Sequence, residues 1–392
     1  MGYLLKNLKW NNGTENVGGD IRITKRFISE IGPNLSPRKD DVVADYEGHF
    51  IYPGLINSHD HIEMNLYPKL GNPPYYNYVE WAKDIYHPGQ SPLREIQTVN
   101  IQDRLMWGGL KNLISGVTTV IHHNPWNSLL GEKEFPVKVP KVAWAHSLEF
   151  EKKSRLKLPK KNNQPFIIHA AEGIDELSFA EVPMLNLMNL LKLNTVLVHA
   201  IALTPADIEI LARSQASVVW CPASNLYMFN QTASILEMRT RVKVALGSDS
   251  TLTGSPTFLH EMQTAAKTNL VSAREIYDMV TRIPAGIFSL VAPAIMNTYP
   301  ADVFIAPVRH PEYFANLVNV QPGDISMIMT DGMPRLTSLD TASIGLKFKH
   351  RVNIQGKLKA CDFNVAALKK RIQSKVDASI LEKNQLWNLM EA

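Results

Sequence analysis

The sequence predicts an α/β protein: a parallel sheet with helices packed outside it, plus a smaller β region assembled from both ends of the chain. Three observations carry this. Short, near-continuous apolar segments alternate with helix-spaced amphipathic segments through the middle of the chain, the pattern of strands covered on both faces. β-Branched and aromatic residues separated by turn-formers dominate both ends. With 392 residues, the chain is also too long for one ordinary core.

Residues 1–50 contain three strand-like stretches, "YLLKNLKW", "DIRITKRFISEIG" and "DDVVADYEGHFI", punctuated by turns such as Asn11-Asn12-Gly13. Residues 51–296 carry the alternating part. Its strands read as "GLINSH", "VTTVIHH", "KVAWAHSL", "PFIIHAAE", "TVLVHAI", "ASVVWCPAS" and "VKVALGSDS". Between them, "SPLREIQTVNIQDRLMWGGLKNLIS" has helical apolar spacing with Ser91 as its N-cap, and "TPADIEILARSQ" starts a helix capped by Thr204 with Pro205 in its first turn. Between Asn124 and Pro165 only one convincing strand reads, Lys141 to Leu148. From residue 297 to 392 the β character returns in "ADVFIAP", "DISMIMTDGMPRL" and "GLKFKHRVNIQGKLKA", and "NVAALKKRIQSKVDASILEKNQLWNLM" reads as one closing helix. The expected division is therefore 1–50 and 297–392 for the β domain and 51–296 for the α/β domain.

Composition excludes several functions. The 41 basic and 37 acidic residues leave a net charge of +4, too even a balance for nucleic-acid or membrane binding. No apolar run approaches the roughly 20 residues of a membrane helix, and the N-terminus lacks the apolar core of a signal peptide. Two cysteines, Cys221 and Cys361, cannot build a disulfide framework, which favours a reduced, cytoplasmic setting. The basic stretch at 151–164 reads as a solvated loop.

The placement of the histidines carries the chemistry. His59 and His61 follow "PGLIN", His122 and His123 follow "GVTTVI", His146 follows "KVAWA", His169 follows "PFII", His199 follows "TVLV", and Asp249 follows "VALGS". Strand after strand thus ends in a His or Asp on its carboxyl side, where parallel α/β barrels keep their active sites. Residues i and i+2 of a strand project to one face, so His59 and His61 can share an ion. Neutral imidazoles with one carboxylate suit Zn²⁺, and Fe²⁺ nearly as well, and such an ion lowers the pKa of bound water toward ~7. Glu172, three residues beyond His169 in "HAAEG", can move protons between that water and a leaving nitrogen.

"YPGLINSHDH", "GVTTV", "HAAEG", "VLVHAIAL", "CPASN" and "LGSDS", in this order, resemble the metal-dependent amidohydrolase superfamily, in particular its cytosine/guanine deaminase and chlorohydrolase-like branch. The resemblance spans nearly the whole chain. It implies a distorted (β/α)8 TIM barrel with a small β-sandwich domain formed from both termini. It further implies His59, His61, His169 and Asp249 as metal ligands, and Glu172, His199 and Asp249 as the catalytic groups. No lysine ends a readable fourth strand, where binuclear relatives usually carry a carboxylated one, so one metal ion is expected. Dimers are frequent among the proteins it resembles.

The expected reaction is hydrolysis of a non-peptide C–N bond, foremost deamination of a cyclic amidine or related heterocycle by a metal-activated water. Ring opening or amide/carbamate hydrolysis without ammonia release is the alternative, and a non-catalytic relative is the remote one. The expected partner is a small-molecule substrate. His122, His123, His146, Glu63 and Asn65 are candidate substrate contacts, and the long aromatic loop from Glu63 to Gly89 is a candidate lid. Cys221 reads as a packed, inert thiol, with Ser224 and Asn225 shaping the site's mouth.

Overall fold

The structure is a computed structural model and describes residues 2–152, 156–159, 164–339 and 348–391. The basic stretch at 151–164 and the start of "GLKFKHRVNIQGKLKA" therefore lie partly outside the described residues.

The N-terminal strands are β1 (Gly2–Asn11), β2 (Asn16–Thr24), β3 (Phe27–Gly32) and β4 (Asp41–Pro53). Seven strands follow in the α/β part: β5 (Leu55–Asp60), β6 (Val117–His122), β7 (Ala143–Trp144), β8 (Phe166–Ala170), β9 (Thr195–His199), β10 (Ser217–Trp220) and β11 (Val244–Leu246). The C-terminal part adds β12 (Val303–Pro307), β13 (Met327–Thr330), β14 (Met333–Ser338), β15 (His350–Ile354), β16 (Lys357–Cys361) and β17 (Met390–Glu391).

Both termini share one ten-stranded sheet, in the order β17-β15-β16-β14-β13-β12-β4-β1-β2-β3. β4 joins the halves: it pairs parallel with β1 and antiparallel with β12, with Ile51 opposite Ile305. An aromatic cluster seals this junction. The Tyr52 ring stacks on Phe304 at 5.0 Å and lies 4.4 Å from Tyr313. The Tyr313 hydroxyl donates to the Ile51 carbonyl at 2.9 Å, so these large rings bury area without leaving a polar tip unpaired.

β4 runs almost directly into β5 through Gly54, where a Cβ would overlap the Thr118 side chain on β6. β5 pairs parallel with β6, and β7 to β11 form a second parallel sheet in the order β11-β10-β9-β8-β7. The chain is thus an α/β protein. The eight-stranded closure expected above is not one continuous sheet among the described residues. What links β6 toward β7 is a single parallel bridge between Thr119 and Lys138. The cause is local: Pro125, Pro136 and Pro140 lack the N–H that a longer ladder would need. At the other side, the amides of Ser248 and Asp249 donate to the His59 carbonyl at 3.0 and 3.1 Å, tying the exit of β11 to β5.

Several expected elements are shorter or split. The helix expected over 91–115 is two, Leu93–Gln97 and Ile101–Leu113. Ser91 caps neither; Asn100 caps the second by accepting from the Gln102 amide. The strand expected over 141–148 is reduced to Ala143–Trp144, beyond which the Ala145 amide and the His146 carbonyl still bond to β8 at 3.0 and 2.9 Å. "ASVVWCPAS" leaves the sheet after Trp220, because Pro222 opens a helix, Pro222–Phe229. The closing helix is three short ones, Val365–Gln373, Ala378–Leu381 and Gln385–Leu389, the last restarted by Asn384 capping the Trp387 amide. Thr204 does cap Pro205–Ser214, in a full capping box with Asp207. No helix among the described residues is long and apolar enough to cross a membrane.

Candidate active site

The site is built from the carboxyl ends of the parallel strands. All six residues of β5 are buried, so its apolar half anchors in the core and carries His59 to the sheet's edge. His61 follows at the entry to a 3₁₀ turn, Ile62–Met64. The two rings meet edge to face, 4.8 Å apart, and the His169 ring from β8 lies 5.0 Å from His59 and 5.3 Å from His61. The Nε2 atoms of His61 and His169 are 3.3 Å apart. Asp249, beyond β11, brings its Oδ1 within 3.9 Å of His59 Nε2 and 3.8 Å of His61 Nε2.

The outer hydrogen bonds orient these groups. His169 donates from Nδ1 to the His146 carbonyl at 2.8 Å, which leaves its Nε2 lone pair facing His61. Asp249 Oδ2 accepts from the hydroxyls of Ser224 and Thr253, at 2.9 and 2.8 Å, which leaves Oδ1 toward the imidazoles. His59 Nε2 is buried without any hydrogen-bond partner. Burial and the neighbouring imidazoles push the His59 and His169 pKa values well down, so both rings are neutral with free lone pairs. Burial raises the Asp249 carboxyl, but His61, His199 and its hydrogen bonds outweigh that and hold it below the usual range. Converging lone pairs, an orphaned buried nitrogen and an ionised carboxylate fit a divalent metal ion.

Glu172 and His199 form the other side. The Asn225 amide oxygen lies 2.8 Å from His199 Nδ1 and so accepts its proton, turning the opposite nitrogen to Glu172 Oε1 at 3.4 Å. Burial, then the Asp249 and Glu181 carboxylates, hold the Glu172 pKa well above the usual carboxylate range. The backbone here is strained: Ala171, His199 and Asp249 have φ of 54, 73 and 52°, a left-handed conformation rare outside glycine and concentrated in functional sites.

The five candidate substrate contacts separate. His146 lines the cavity beside His169. The other four are not among the residues that line it. His123 is fully buried; its Nε2 donates to the Ala145 carbonyl at 2.8 Å, leaving Nδ1 facing His59 Nδ1 at 3.4 Å. Its ring nitrogen therefore falls in the same group as those of His59, His61 and His169, all within 4.8 Å. His122 accepts from the Ile62 amide and faces Glu63 at 3.7 Å. Asn65 donates to Asp60 at 2.8 Å. Behind them lies a group that the strand-end pattern does not reveal. The ammonium of Lys111 is wholly buried, 3.3 Å from Asp60, 2.8 Å from Asn65 Oδ1 and 2.8 Å from the Asp249 carbonyl. The available signal was a lysine between Leu110 and Leu113 on the apolar face of its helix. Cys221 is buried, and burial pushes its thiol pKa well up, as an inert thiol requires.

Above the cluster opens a cavity of about 780 Å³, with His61, His169, Glu172, His199 and Asp249 at its floor. One wall comes from the aromatic stretch after β5, including Tyr67, Tyr78 and Trp81. This stretch is fastened to the floor, since the Tyr78 amide donates to the Glu172 carbonyl at 3.2 Å.

The model of the amidohydrolase family matches residues 140–335, half of the chain. The chain belongs to the amidohydrolase family. The amidohydrolase is 23% identical over 387 residues to the 5-methylthioadenosine/S-adenosylhomocysteine deaminase of Pyrococcus furiosus, covering 81% of its own length and 90% of that relative. Among solved structures it is similar to a zinc-bound adenosine deaminase from Xanthomonas campestris, with a TM-score of 0.73 at 15% identity over 95% of this chain and 97% of the other. It is also similar to the atrazine chlorohydrolase of Arthrobacter aurescens complexed with zinc, with a TM-score of 0.73 at 15% identity, covering 94% and 100%. The amidohydrolase is accordingly a hydrolase of carbon–nitrogen bonds other than peptide bonds, and it uses a divalent metal ion.

Proposed function

We propose that the amidohydrolase deaminates an aminated heterocycle by hydrolysis, with one zinc ion held by His59, His61, His169 and Asp249. The observation that carries this is the Glu172 carboxyl beside His199 and Asp249 on the cavity floor, placed to move a proton, with its pKa raised by burial and by the Asp249 and Glu181 carboxylates. The deaminase names of the relatives support the same reaction. The bound ion supplies a water of lowered pKa and polarises the reacting centre.

The chain's residues do the rest. Glu172 passes a proton to a ring nitrogen, which makes the adjacent carbon electrophilic. Asp249 and His199 orient the water and accept its proton. The water oxygen bonds to that carbon, the exocyclic C–N bond breaks, the amino group takes one water proton and leaves as ammonia, and the second water proton returns to Glu172. The ring keeps the oxygen as a carbonyl. His123 is assigned a positioning role: with its Nε2–H committed to Ala145, its Nδ1 accepts from His59 Nδ1, which leaves His59 Nε2 for the ion. We further infer that the two parallel sheets are parts of one distorted (β/α)8 barrel, supported by the ties of β11 to β5 and of Lys138 to Thr119.

Ammonia release by the zinc-loaded protein over purines, pyrimidines, pterins and triazines tests the reading. Glu172→Gln is expected to keep its zinc and lose turnover by at least about 100-fold. Products of ring opening without ammonia, or loss of zinc from that variant, would assign the reaction or the residue differently.

A further inference from the structure

We propose that the substrate of the amidohydrolase is an aminated heteroaromatic ring carrying an apolar substituent, with the ring on the floor and the substituent against the wall formed by residues 64–93. The proposal rests on the deamination reading and adds what the rest of the cavity recognises. The wall presents carbon. Val79, Trp81, Ile85 and Leu93 line it, Phe150 and Leu252 continue the apolar lining beyond it, and Trp81 and Tyr78 have their polar tips turned into the protein. The Trp81 N–H donates to the Leu70 carbonyl at 3.0 Å, and the Tyr78 hydroxyl donates to Glu181 at 3.0 Å. The Asn124 amide nitrogen is committed to Glu63 at 2.7 Å.

Charge at the cavity points the same way. Among the described lining residues the carboxylates are Glu172 and Asp249, both on the floor, and the cation outside the histidines is Lys83, at the exposed rim. A sugar diol placed on this wall would lose its hydrogen bonds to water and meet no carboxylate there, the nearby amides being the exposed Gln97 and the oxygen of Asn124, and a substituent carboxylate would meet Lys83 at the exposed rim and no arginine among the described lining residues. A bare ring, in turn, would leave most of a cavity of about 780 Å³ filled with water. An apolar substituent removes both the wall and itself from water.

The test compares matched ligands on two scaffolds, adenine and an amino-triazine, each bearing a benzyl, a polyol (ribosyl on adenine, dihydroxypropyl on the triazine) or a carboxymethyl group. Ammonia release is measured with zinc-loaded wild type, and binding by calorimetry with zinc-loaded Glu172→Gln. On at least one scaffold the benzyl compound is expected to bind about tenfold or more tightly than its polyol and carboxymethyl counterparts, with kcat/KM following where turnover occurs. Ile85→Glu should narrow that preference more than Ile85→Ala, mainly through KM. Preferential benzyl binding without ammonia release would keep this assignment and remove the deamination reading. Equal or better binding of the polyol compounds on both scaffolds, or no binding of any compound, would overturn the assignment.

Discussion

The ring of His59 is held by what surrounds it: His123 on one side, His61 and His169 on the other, and the buried polar group beneath β5. In that group Lys111 and Asp60 form an ion pair with neither side chain exposed, and Lys111 also holds the carbonyl of the strained Asp249. Taking the ammonium away leaves a buried carboxylate without its counter-charge. Lys111→Met is therefore expected to cost about 3–5 kcal/mol in urea unfolding, and adding Asp60→Asn should return part of that. A double variant no more stable than the single one would show that the pair is not the source of the loss. At this scale the sequence was most legible where chemistry repeats at strand ends: His61, His169, His199, Asp249 and Glu172 line one cavity, and the His59 ring packs against His61 and His169. Lys111 was hidden because one lysine in an amphipathic helix reads as a snorkelling side chain until the fold shows it enclosed.

The helix Ile101–Leu113 couples to the site through close packing. It lies against the 3₁₀ turn that begins directly after His61, and a Cβ on Gly108 would overlap the Ile62 carbonyl oxygen. Because the listener at that contact is backbone, the turn and His61 must shift together. Gly108→Ala, although it favours the isolated helix, is expected to destabilise the protein by about 1–3 kcal/mol and to weaken zinc binding, read by competition with a chromogenic chelator. Unchanged zinc affinity would show that the turn yields without moving His61. Element boundaries followed the same logic of local chemistry. The Thr204 capping box was readable because its partners lie three residues apart. The break at Thr98–Asn100 was not, since apolar periodicity continues across it while Asn100 captures the Gln102 amide. The segment between β6 and β7 was readable only as a gap, because its prolines permit one bridge in place of a strand.

Across the whole molecule, buried carboxyls should set how stability depends on pH. Burial raises Glu181 to about 7, against the hydrogen bonds it accepts from Ala171 and Tyr78, and raises Glu261 to about 7 as well. The folded state then holds protons that the unfolded chain has released above 4.5, so unfolding free energy falls as pH rises from about 4.5 to about 7 and levels beyond it. Glu181→Gln is expected to flatten that slope and to stabilise the protein above pH 7 relative to wild type, in denaturant titrations at matched metal loading. A slope unchanged by the substitution would mean that Glu181 ionises in the fold. The α/β architecture with a sheet shared by both termini was legible from alternation and end composition. The ten-stranded continuity was not, because β4 pairing with β12 joins residues about 250 positions apart and leaves no local trace.

The central claim is that one zinc ion sits where these ends converge. Anomalous diffraction from crystals of the zinc-loaded amidohydrolase, collected on both sides of the zinc absorption edge, reads this directly. The account predicts one peak within about 2.0–2.2 Å of His59 Nε2, His61 Nε2, His169 Nε2 and an Asp249 carboxylate oxygen. A peak bound by His123 in place of one of them, two peaks, or none at this floor would contradict it.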